Sequence, residues 1–323
     1  MILIDATYIN VTGGRLLLVE FLNNLRYCED EIVIILDRRI KEDLSSVSKN
    51  WQLIFVHRSL ISRTRQLILL NKRCKFQSIF FFNGIPPIVR FNEISTYAYF
   101  QNTTIFSSFA KNLYFKLFQK NVDTWIFQTE KTREDFFVRY KSPKTKVLPF
   151  FQDIKHKAKP KKIKENKNFF YPTSDHPHKN NNRLIEAFVK LYDKGIKVEL
   201  EITIKREHYN GRVTPNIKFL GLLRKEEIVK RYERGFIILH PSLKESFGMV
   251  LIEACQYRLN IITANLPYVY ELIKPTETFD PYKTESIVRT IEKVTKDSIL
   301  VPGELIITNQ IENLINLISK PNV

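Results

Sequence analysis

Short apolar runs alternate with amphipathic stretches along almost the whole chain. The first half contains ILIDA, EIVIILD, QLIFV, SIFFF, TYAYF and DTWIF, and the second half NFFYP, KVELEIT, IKFLG, FIILHPS and LNIITA. Continuous apolar runs of this length, separated by helical patterns, are typical of parallel strands in a sheet covered on both faces. The pattern therefore predicts an α/β fold built from two series of alternating strands and helices.

The boundary between the two series is predicted in the segment 153–168, which holds seven lysines and almost no apolar residues. A charged stretch with little to bury is expected to be a linker. We therefore expect a first domain at 1–152, a second at 169–304 and a C-terminal helix at 305–323 that can pack back toward the first domain. A cleft between two such domains is the expected ligand site.

Composition narrows the class of protein. A hydrophobic fraction of 44% in 323 residues indicates a globular chain with about two cores. The three cysteines show no close pairing, which favours reduced thiols in the cytosol over a disulfide framework. No stretch has the length or the apolar character of a membrane span, and the N-terminus does not have the pattern of a signal peptide.

Positive charge is concentrated in the first half of the chain. The net charge is +17, and between Asp43 and Asp123 eleven Lys and Arg residues face one acid, Glu93. Such a field suits an anionic partner: an anionic lipid surface, a phosphorylated substrate or a nucleic acid.

Two basic segments of this region also have apolar stripes. FSSFAKNLYFKLFQK has apolar residues at 106, 109, 110, 113, 114, 117 and 118, with helical spacing, and RTRQLILLNKRCKF is the second segment. Either segment can lie on an anionic membrane surface, or it can simply pack on the sheet with its lysines exposed.

Two carboxylates, Glu245 and Glu253, lie eight positions apart in HPSLKESFGMVLIEA, where a strand is followed by a turn and a helix. Eight helical residues would separate them by roughly 12 Å, which exceeds the ~5–9.5 Å of a hydrolytic carboxylate pair. The spacing favours two contacts on one elongated ligand, with the helix N-terminus between them offering N–H groups to an anion. Alternatively, Glu245 near the helix start stabilises the helix dipole, and Glu253 two turns later is a solvated surface residue.

The same stretch resembles the E-x7-E signature of the retaining glycosyltransferases of family 4. The matching residues are Pro241, Ser242, Glu245, Phe247, Gly248, Glu253 and Ala254, and Ser246 replaces the usual glycine. HPHKNNNRLIEAF also resembles the family's Lys-Asn segment. The chain departs from the family in three ways: the partner arginine is not evident in YPTSDHP, and Arg258 and Asn260 replace a common Gly and Pro.

The resemblance implies a GT-B architecture, in which two Rossmann-like domains face a cleft, and transfer of a sugar from a nucleotide-sugar with retained configuration. The acceptor would be a saccharide or a lipid-linked saccharide, in cell-surface polysaccharide or lipopolysaccharide synthesis, in the cytoplasm or at the inner face of the membrane. The implied catalytic residues are Glu245 and Lys179. The implied donor-binding residues are Glu253, Ser246, Phe247, Gly248, Met249, Gly13 and Gly14.

Two further expectations concern the acceptor side and metal ions. Gln101 and Asn102 stand where many relatives have a histidine, so they are the acceptor-side candidates. No D-x-D sequence occurs, so we expect no metal and no cofactor, with protein cations in the place of Mg²⁺.

The pair Gly13-Gly14 follows the first strand and would let the backbone approach a phosphate, unless it only forms a plain turn.

Two other functions remain open at this stage. One is a relative that binds sugar nucleotides but has lost catalysis, motivated by Gln101, Arg258 and Asn260. The other is a basic nucleic-acid-binding protein, although the chain has no zinc-ligand spacing or RRM-like run and this function leaves E-x7-E unexplained. We therefore expect no nucleic-acid partner.

Overall fold

The chain forms two compact units, described here from a computed structural model. The structure describes residues 1–9, 12–40, 51–101, 108–141, 144–154, 168–297 and 299–320. The first unit comprises Met1–Gln152 with Thr308–Val323, and the second comprises Asp153–Ile307. Most of the predicted linker, from 155 to 167, lies outside the described residues.

The first unit is a seven-stranded parallel sheet with helices between its strands. Its order is β3-β2-β1-β4-β5-β6-β7, and every pair of neighbours is parallel. The elements are β1 (Ile2–Ala6), α1 (Thr12–Leu25), β2 (Ile32–Asp37), β3 (Gln52–Val56), α2 (Leu60–Arg73), β4 (Ser78–Phe81), β5 (Ser95–Phe100), α3 (Phe109–Phe118), β6 (Thr124–Phe127), α4 (Glu130–Tyr140) and β7 (Thr145–Val147). Residues of β1, β2 and β4 are buried throughout, as expected of strands with both faces covered.

The second unit is a six-stranded parallel sheet of order β10-β9-β8-β11-β12-β14, with a short antiparallel pair, β13-β15, beside it. Its elements are β8 (Asn168–Tyr171), α5 (Asn181–Asp193), β9 (Glu199–Ile202), β10 (Ile217–Phe219), α6 (Lys225–Glu233), β11 (Ile237–His240), α7 (Met249–Gln256), β12 (Ile261–Ala264), α8 (Pro267–Tyr270), β13 (Ile273–Lys274), β14 (Glu277–Phe279), α9 (Thr284–Lys296) and β15 (Glu304–Leu305). The predicted α/β fold with two Rossmann-like domains is confirmed.

Strand order reverses beside the first strand of each sheet. β1 lies between β2 and β4, and β8 lies between β9 and β11, so successive crossovers leave in opposite directions. In open parallel sheets, ligands bind at the carboxyl ends of the strands at such a switch point. The loops that follow β8 and β11 therefore define one candidate site, and the loops that follow β1 and β4 define another.

The C-terminal segment differs from the continuous helix predicted for 305–323. Glu304–Leu305 is the strand β15, and the helix α10 extends only over Ile311–Ser319. This helix packs against α1 and β4 of the first unit, where Ser78 Oγ donates a hydrogen bond to Ile318 O at 2.5 Å. The prediction failed because the apolar residues of GELIITNQIENLINLI do not distinguish a short strand from the start of a helix.

The two basic amphipathic segments behave differently. In α2, Leu67 and Leu70 are buried, so this segment packs on the sheet. In α3 the buried residue is Phe115, which is not part of the apolar stripe, whereas Phe109 and Leu117 of the stripe are exposed. Tyr114 of the stripe is half-buried against the core of the first unit, and its ring packs on that of Phe118, so the packing alternative holds for these two residues and not for Phe109 and Leu117. Position 106 of the stripe lies outside the described residues.

The composition bears on two features, the state of the three cysteines and the apolar character of the helices. Cys28, Cys74 and Cys255 are free thiols, and burial raises the pKa of Cys255 to about 12. Within the described ranges, no helix combines the length and the apolar character that crossing a bilayer requires.

Candidate functional site

Two loops of the second unit are joined at its switch point. Leu243 N–H donates to His178 O at 2.8 Å, and Asn180 Nδ2 donates to Pro241 O at 3.3 Å. The Tyr171 hydroxyl at the end of β8 donates to the carbonyl of Lys179 at 3.0 Å. These bonds hold the loop after β8 against the loop after β11, and thereby bring the predicted lysine to the first predicted glutamate.

Lys179 and Glu245 form an ion pair in this position. Lys179 Nζ lies 2.6 Å from Glu245 Oε1, and the side chains are 18% and 12% exposed. Burial acts to raise the pKa of the Glu245 carboxyl, but His240 and Lys179 outweigh it and hold this pKa well below its usual range. Glu245 is therefore an ionised, largely buried acceptor.

His240 is a site residue that the sequence did not single out. It ends β11, its side chain is 1% exposed, and its Nε2 lies 3.2 Å from Glu245 Oε1. The ring packs edge-on against Tyr171 and Tyr268. Within the described part of the chain, neither ring nitrogen has a hydrogen-bond partner of good geometry, so the contact of Nε2 with Glu245 is one of proximity.

Ser242 connects the same cluster to the backbone. It is fully buried, its hydroxyl lies 3.0 Å from the Tyr171 hydroxyl, and its carbonyl accepts from Tyr268 at 2.8 Å. Burial raises the pKa of both tyrosines, so their hydroxyls remain protonated donors. The Ser242 of the motif therefore has a packing role, which fixes the loop that carries Glu245.

The helix α7 begins at the turn between the two glutamates. Gly248 is its N-cap with φ of 74°, and an added Cβ would lie 2.8 Å from Leu272 Cδ1, so this position requires glycine. The first intrahelical bond is Leu251 N–H to Gly248 O, so the amide of Met249 precedes the hydrogen-bonded turn. Phe247 is buried and Ser246 is half-buried beside this start.

Glu253 lies in the second turn of α7 with its side chain 16% exposed. Lys225 Nζ at the start of α6 lies 3.4 Å from its Oε1. Burial first, and the neighbouring Glu253 second, raise the pKa of the Tyr232 hydroxyl. No sequence pattern points to Lys225 or Tyr232, because only the packing of α6 beside α7 brings them to this carboxylate.

One departure from the family pattern has a structural consequence. Arg258, where the family often has glycine, adopts the left-handed region with φ of 53°. Its N–H donates to Cys255 O at 2.9 Å and thereby closes the C-terminus of α7. A side chain in this conformation is strained, which accounts for the preference for glycine there.

The first unit places its predicted residues at its own switch point. Gly13 and Gly14 lie in the first turn of α1. A Cβ added at Gly13 would meet none of the described residues within 4 Å, whereas one added at Gly14 would lie 3.8 Å from Gln101 Oε1. Gln101 Nε2 donates to Phe82 O at 2.8 Å. Asn102 lies outside the described residues.

A buried ion pair supports this second candidate site. Asp5 of β1 and Arg63 of α2 are fully buried, with Oδ2 and Nε 2.5 Å apart. The guanidinium also donates to Ile85 O at 2.6 Å and to Pro86 O at 3.3 Å. Arg63 thus joins β1 to the loop after β4. The aspartate within the apolar run ILIDA was the one sequence signal for this contact.

Among the residues that the structure describes, no three His, Cys, Asp or Glu side chains are grouped so that they could hold a metal ion.

The second unit matches a known family. Residues 152–305 match the family described as Glycosyl transferases group 1. A curated relative is the phosphatidylinositol N-acetylglucosaminyltransferase gpi3 subunit of Schizosaccharomyces pombe, at 30% identity over 99 residues. The match covers 30% of this chain and 21% of the relative, so the chain spans about a fifth of that protein's length.

Solved structures share the fold along nearly the whole chain. Sucrose-phosphate synthase from Thermosynechococcus elongatus superposes with a TM-score of 0.73 at 13% identity, over 92% of this chain and 90% of that one. WaaG, a glycosyltransferase involved in lipopolysaccharide biosynthesis, superposes with a TM-score of 0.69 at 14% identity, over 99% and 100%. At these identities the similarity shows the fold alone.

Proposed function

We propose that the chain is a retaining glycosyltransferase that takes its sugar from a nucleotide-sugar donor without a metal ion. The observation that carries the proposal is the ion pair of Lys179 and Glu245, at the switch point of a glycosyl transferases group 1 domain. Glu253 lies on the adjacent helix α7, whose N-terminus begins between the two glutamates. In this arrangement the Lys179 ammonium group and the amides at the start of α7 face a diphosphate. Glu245 is available to the transferred sugar and Glu253 to the ribose of the nucleotide.

The difficult step is departure of the nucleoside diphosphate, since negative charge grows on its phosphate oxygens. Lys179 and the amides at the start of α7, near Ser246 to Met249, are the groups that stabilise this charge. Glu245 is ionised, so it accepts hydrogen bonds from hydroxyls of the transferred sugar, while Glu253 accepts from the ribose. Donor binding then requires Lys179 to exchange part of its contact with Glu245 for a phosphate oxygen.

The first unit supplies the acceptor side in this proposal. Gly13, Gly14 and Gln101 surround its switch point, and Asp5 with Arg63 fixes the loops there. The acceptor is a saccharide or lipid-linked saccharide of cell-surface polysaccharide or lipopolysaccharide synthesis, met at the inner face of the membrane. The basic region between Asp43 and Asp123 supports a location at the membrane, because its positive charge suits an anionic acceptor or an anionic lipid surface.

A nucleotide panel tests the donor site. Purified protein is heated with UDP, GDP, ADP and their sugar conjugates, and a ligand at ~100 times its dissociation constant adds about 2.7 kcal/mol to the free energy of unfolding. We expect one nucleotide series to raise the melting temperature, with or without EDTA. No shift with any nucleotide would contradict the proposal.

Turnover of the identified donor separates an enzyme from an inactive relative. We expect release of the nucleoside diphosphate by hydrolysis or transfer, and NMR of the product should show the anomeric configuration of the donor. Binding without turnover toward water or a panel of saccharide acceptors would instead favour the inactive relative.

A further inference from the structure

The helix α3 turns an apolar face to solvent. Phe109, Leu113 and Leu117 are 86%, 48% and 64% exposed, and they follow one another at intervals of four residues. Residues four apart lie on the same face of a helix, so the three side chains form one continuous stripe. We call this stripe, with the lysines described next, the α3 face.

Lysines border this stripe. Lys116 and Lys120 lie three residues beyond Leu113 and Leu117 and are exposed, and the sequence of α3 contains no Asp or Glu. The nearby carboxylate of Asp123 lies 3.2 Å from Arg90, whose guanidinium also donates to Lys120 O at 2.6 Å. The α3 face therefore combines exposed apolar side chains with net positive charge.

The opposite side of α3 is firmly packed, so the exposed stripe is not a consequence of a loosely held helix. Phe115 is buried among the aromatic rings of Trp125, Phe136 and Tyr140. The Tyr140 hydroxyl donates to Asn112 Oδ1 at 2.5 Å. The helix thus presents its outer face in a fixed orientation.

We propose that the α3 face docks on an anionic lipid bilayer, with Phe109, Leu113 and Leu117 inserted between headgroups and the lysines at the level of the phosphates. This rests on the proposed function in that it would bring the first unit to a lipid-linked acceptor. A helix that lies in a membrane interface has this combination of an apolar stripe and flanking Lys.

Charge complementarity selects the bilayer over the other partners. A second copy of the chain, facing α3 with its own α3 across a twofold axis, would oppose lysine to lysine with no acid between them. A nucleic acid would satisfy the lysines but would leave Phe109 and Leu117 without an apolar partner. Anionic lipid offers phosphates and acyl chains at the depths that the two kinds of side chain require.

Co-sedimentation with vesicles tests the proposal. The full chain is mixed with vesicles of phosphatidylcholine alone and of an equal mixture of phosphatidylcholine and phosphatidylglycerol, at low and at high salt. We expect binding to the mixed vesicles that weakens with salt. The double variant Phe109→Gln with Leu117→Gln should bind about tenfold or more weakly, and Lys116→Gln should lower binding about fivefold on mixed vesicles only.

The matched control is Leu222→Gln in the second unit, which removes an equally exposed side chain, 92% accessible, and should bind like the wild type. The donor-induced rise in melting temperature should be the same in all variants. Loss of vesicle binding with an unchanged thermal shift therefore concerns the α3 face, whereas loss of the thermal shift concerns the donor site. Wild-type protein that ignores mixed vesicles, or binds them equally without Phe109 and Leu117, would overturn the proposal. So would a wild-type dimer that the double variant converts to monomer.

Discussion

Lys179 Nζ lies 2.6 Å from Glu245 Oε1, so the cation proposed to meet the donor diphosphate is held by the carboxylate proposed to meet the sugar. His240 approaches the same oxygen from the protein interior, at 3.2 Å. In the proposed function, Glu245 therefore keeps His240 as a neighbour when Lys179 turns to a phosphate.

The first prediction concerns Lys179→Met, which retains the length of the side chain and removes its charge. We expect kcat to fall about 10²–10³-fold, the usual effect of losing one donor to developing charge, with a smaller change in the KM of the donor. Steady-state kinetics with the identified nucleotide-sugar measures both. The neighbouring exposed Lys244→Met is the control, and equal kcat values for the two variants would refute the role of Lys179.

The second prediction concerns Glu253→Ala. If the carboxylate accepts from ribose hydroxyls, its loss removes hydrogen bonds to a charged group and should weaken nucleotide affinity by about 10–100-fold. Calorimetric titration with the nucleoside diphosphate measures this directly. Glu233→Ala, which removes an exposed carboxylate from α6, should leave the affinity unchanged. A nucleotide that binds both variants equally well would show that Glu253 does not contact it.

The third prediction assigns a positioning role to His240. Replacement by leucine removes a group that lowers the pKa of Glu245, so this pKa should rise and the acid limb of the pH–rate profile should move to higher pH. Glutamine at the same position can still donate to the carboxylate, and should restore part of the wild-type profile. A profile that keeps its acid limb while only its height falls would indicate a purely structural role.

The fourth prediction concerns stability and pH. The Glu245 carboxyl has a lower pKa in the folded chain than its ordinary value of 4.5, so its stabilising contribution is complete above about pH 4.5. That contribution is lost as the pH falls through the folded pKa. The difference in the free energy of unfolding between wild type and Glu245→Gln should therefore be largest near neutral pH and shrink below pH 4.5.

Urea denaturation at a series of pH values measures this difference. Glu233→Gln controls for the removal of one negative charge from an exposed position of the same unit. If the difference between wild type and Glu245→Gln stays constant from neutral pH to well below pH 4.5, the ion pair does not stabilise the folded chain.

The sequence predicted some of these contacts and missed others for physical reasons. Glu245, Glu253 and Gly248 could be found because a strand, a turn and a helix follow one another within a single short segment. His240 and Lys225 could not be assigned, since their roles arise from loops and helices that meet only at the folded switch point.

Periodicity predicts the helix α3 but does not predict which of its sides is buried. The spacing of its apolar residues correctly predicts a helix, but it favours the stripe as the buried side. The structure instead buries Phe115, whose ring lies on the side of the helix opposite to Phe109 and Leu117 and fits the cluster around Trp125. A helix with apolar residues on both sides does not reveal from sequence which of them faces the sheet.

The last prediction concerns Arg258, whose backbone lies in the left-handed region with φ of 53° at the end of α7. Glycine adopts this conformation without a steric penalty, so Arg258→Gly should raise the free energy of unfolding by about 1 kcal/mol. Arg258→Ala keeps the strained Cβ and should bring no such gain. Thermal and urea denaturation of both variants measure the difference. Donor affinity should not change, because Arg258 lies beyond the C-terminus of α7 and the donor is proposed to bind at the N-terminus. Equal stability of the glycine and alanine variants would show that backbone strain at this position has no energetic consequence.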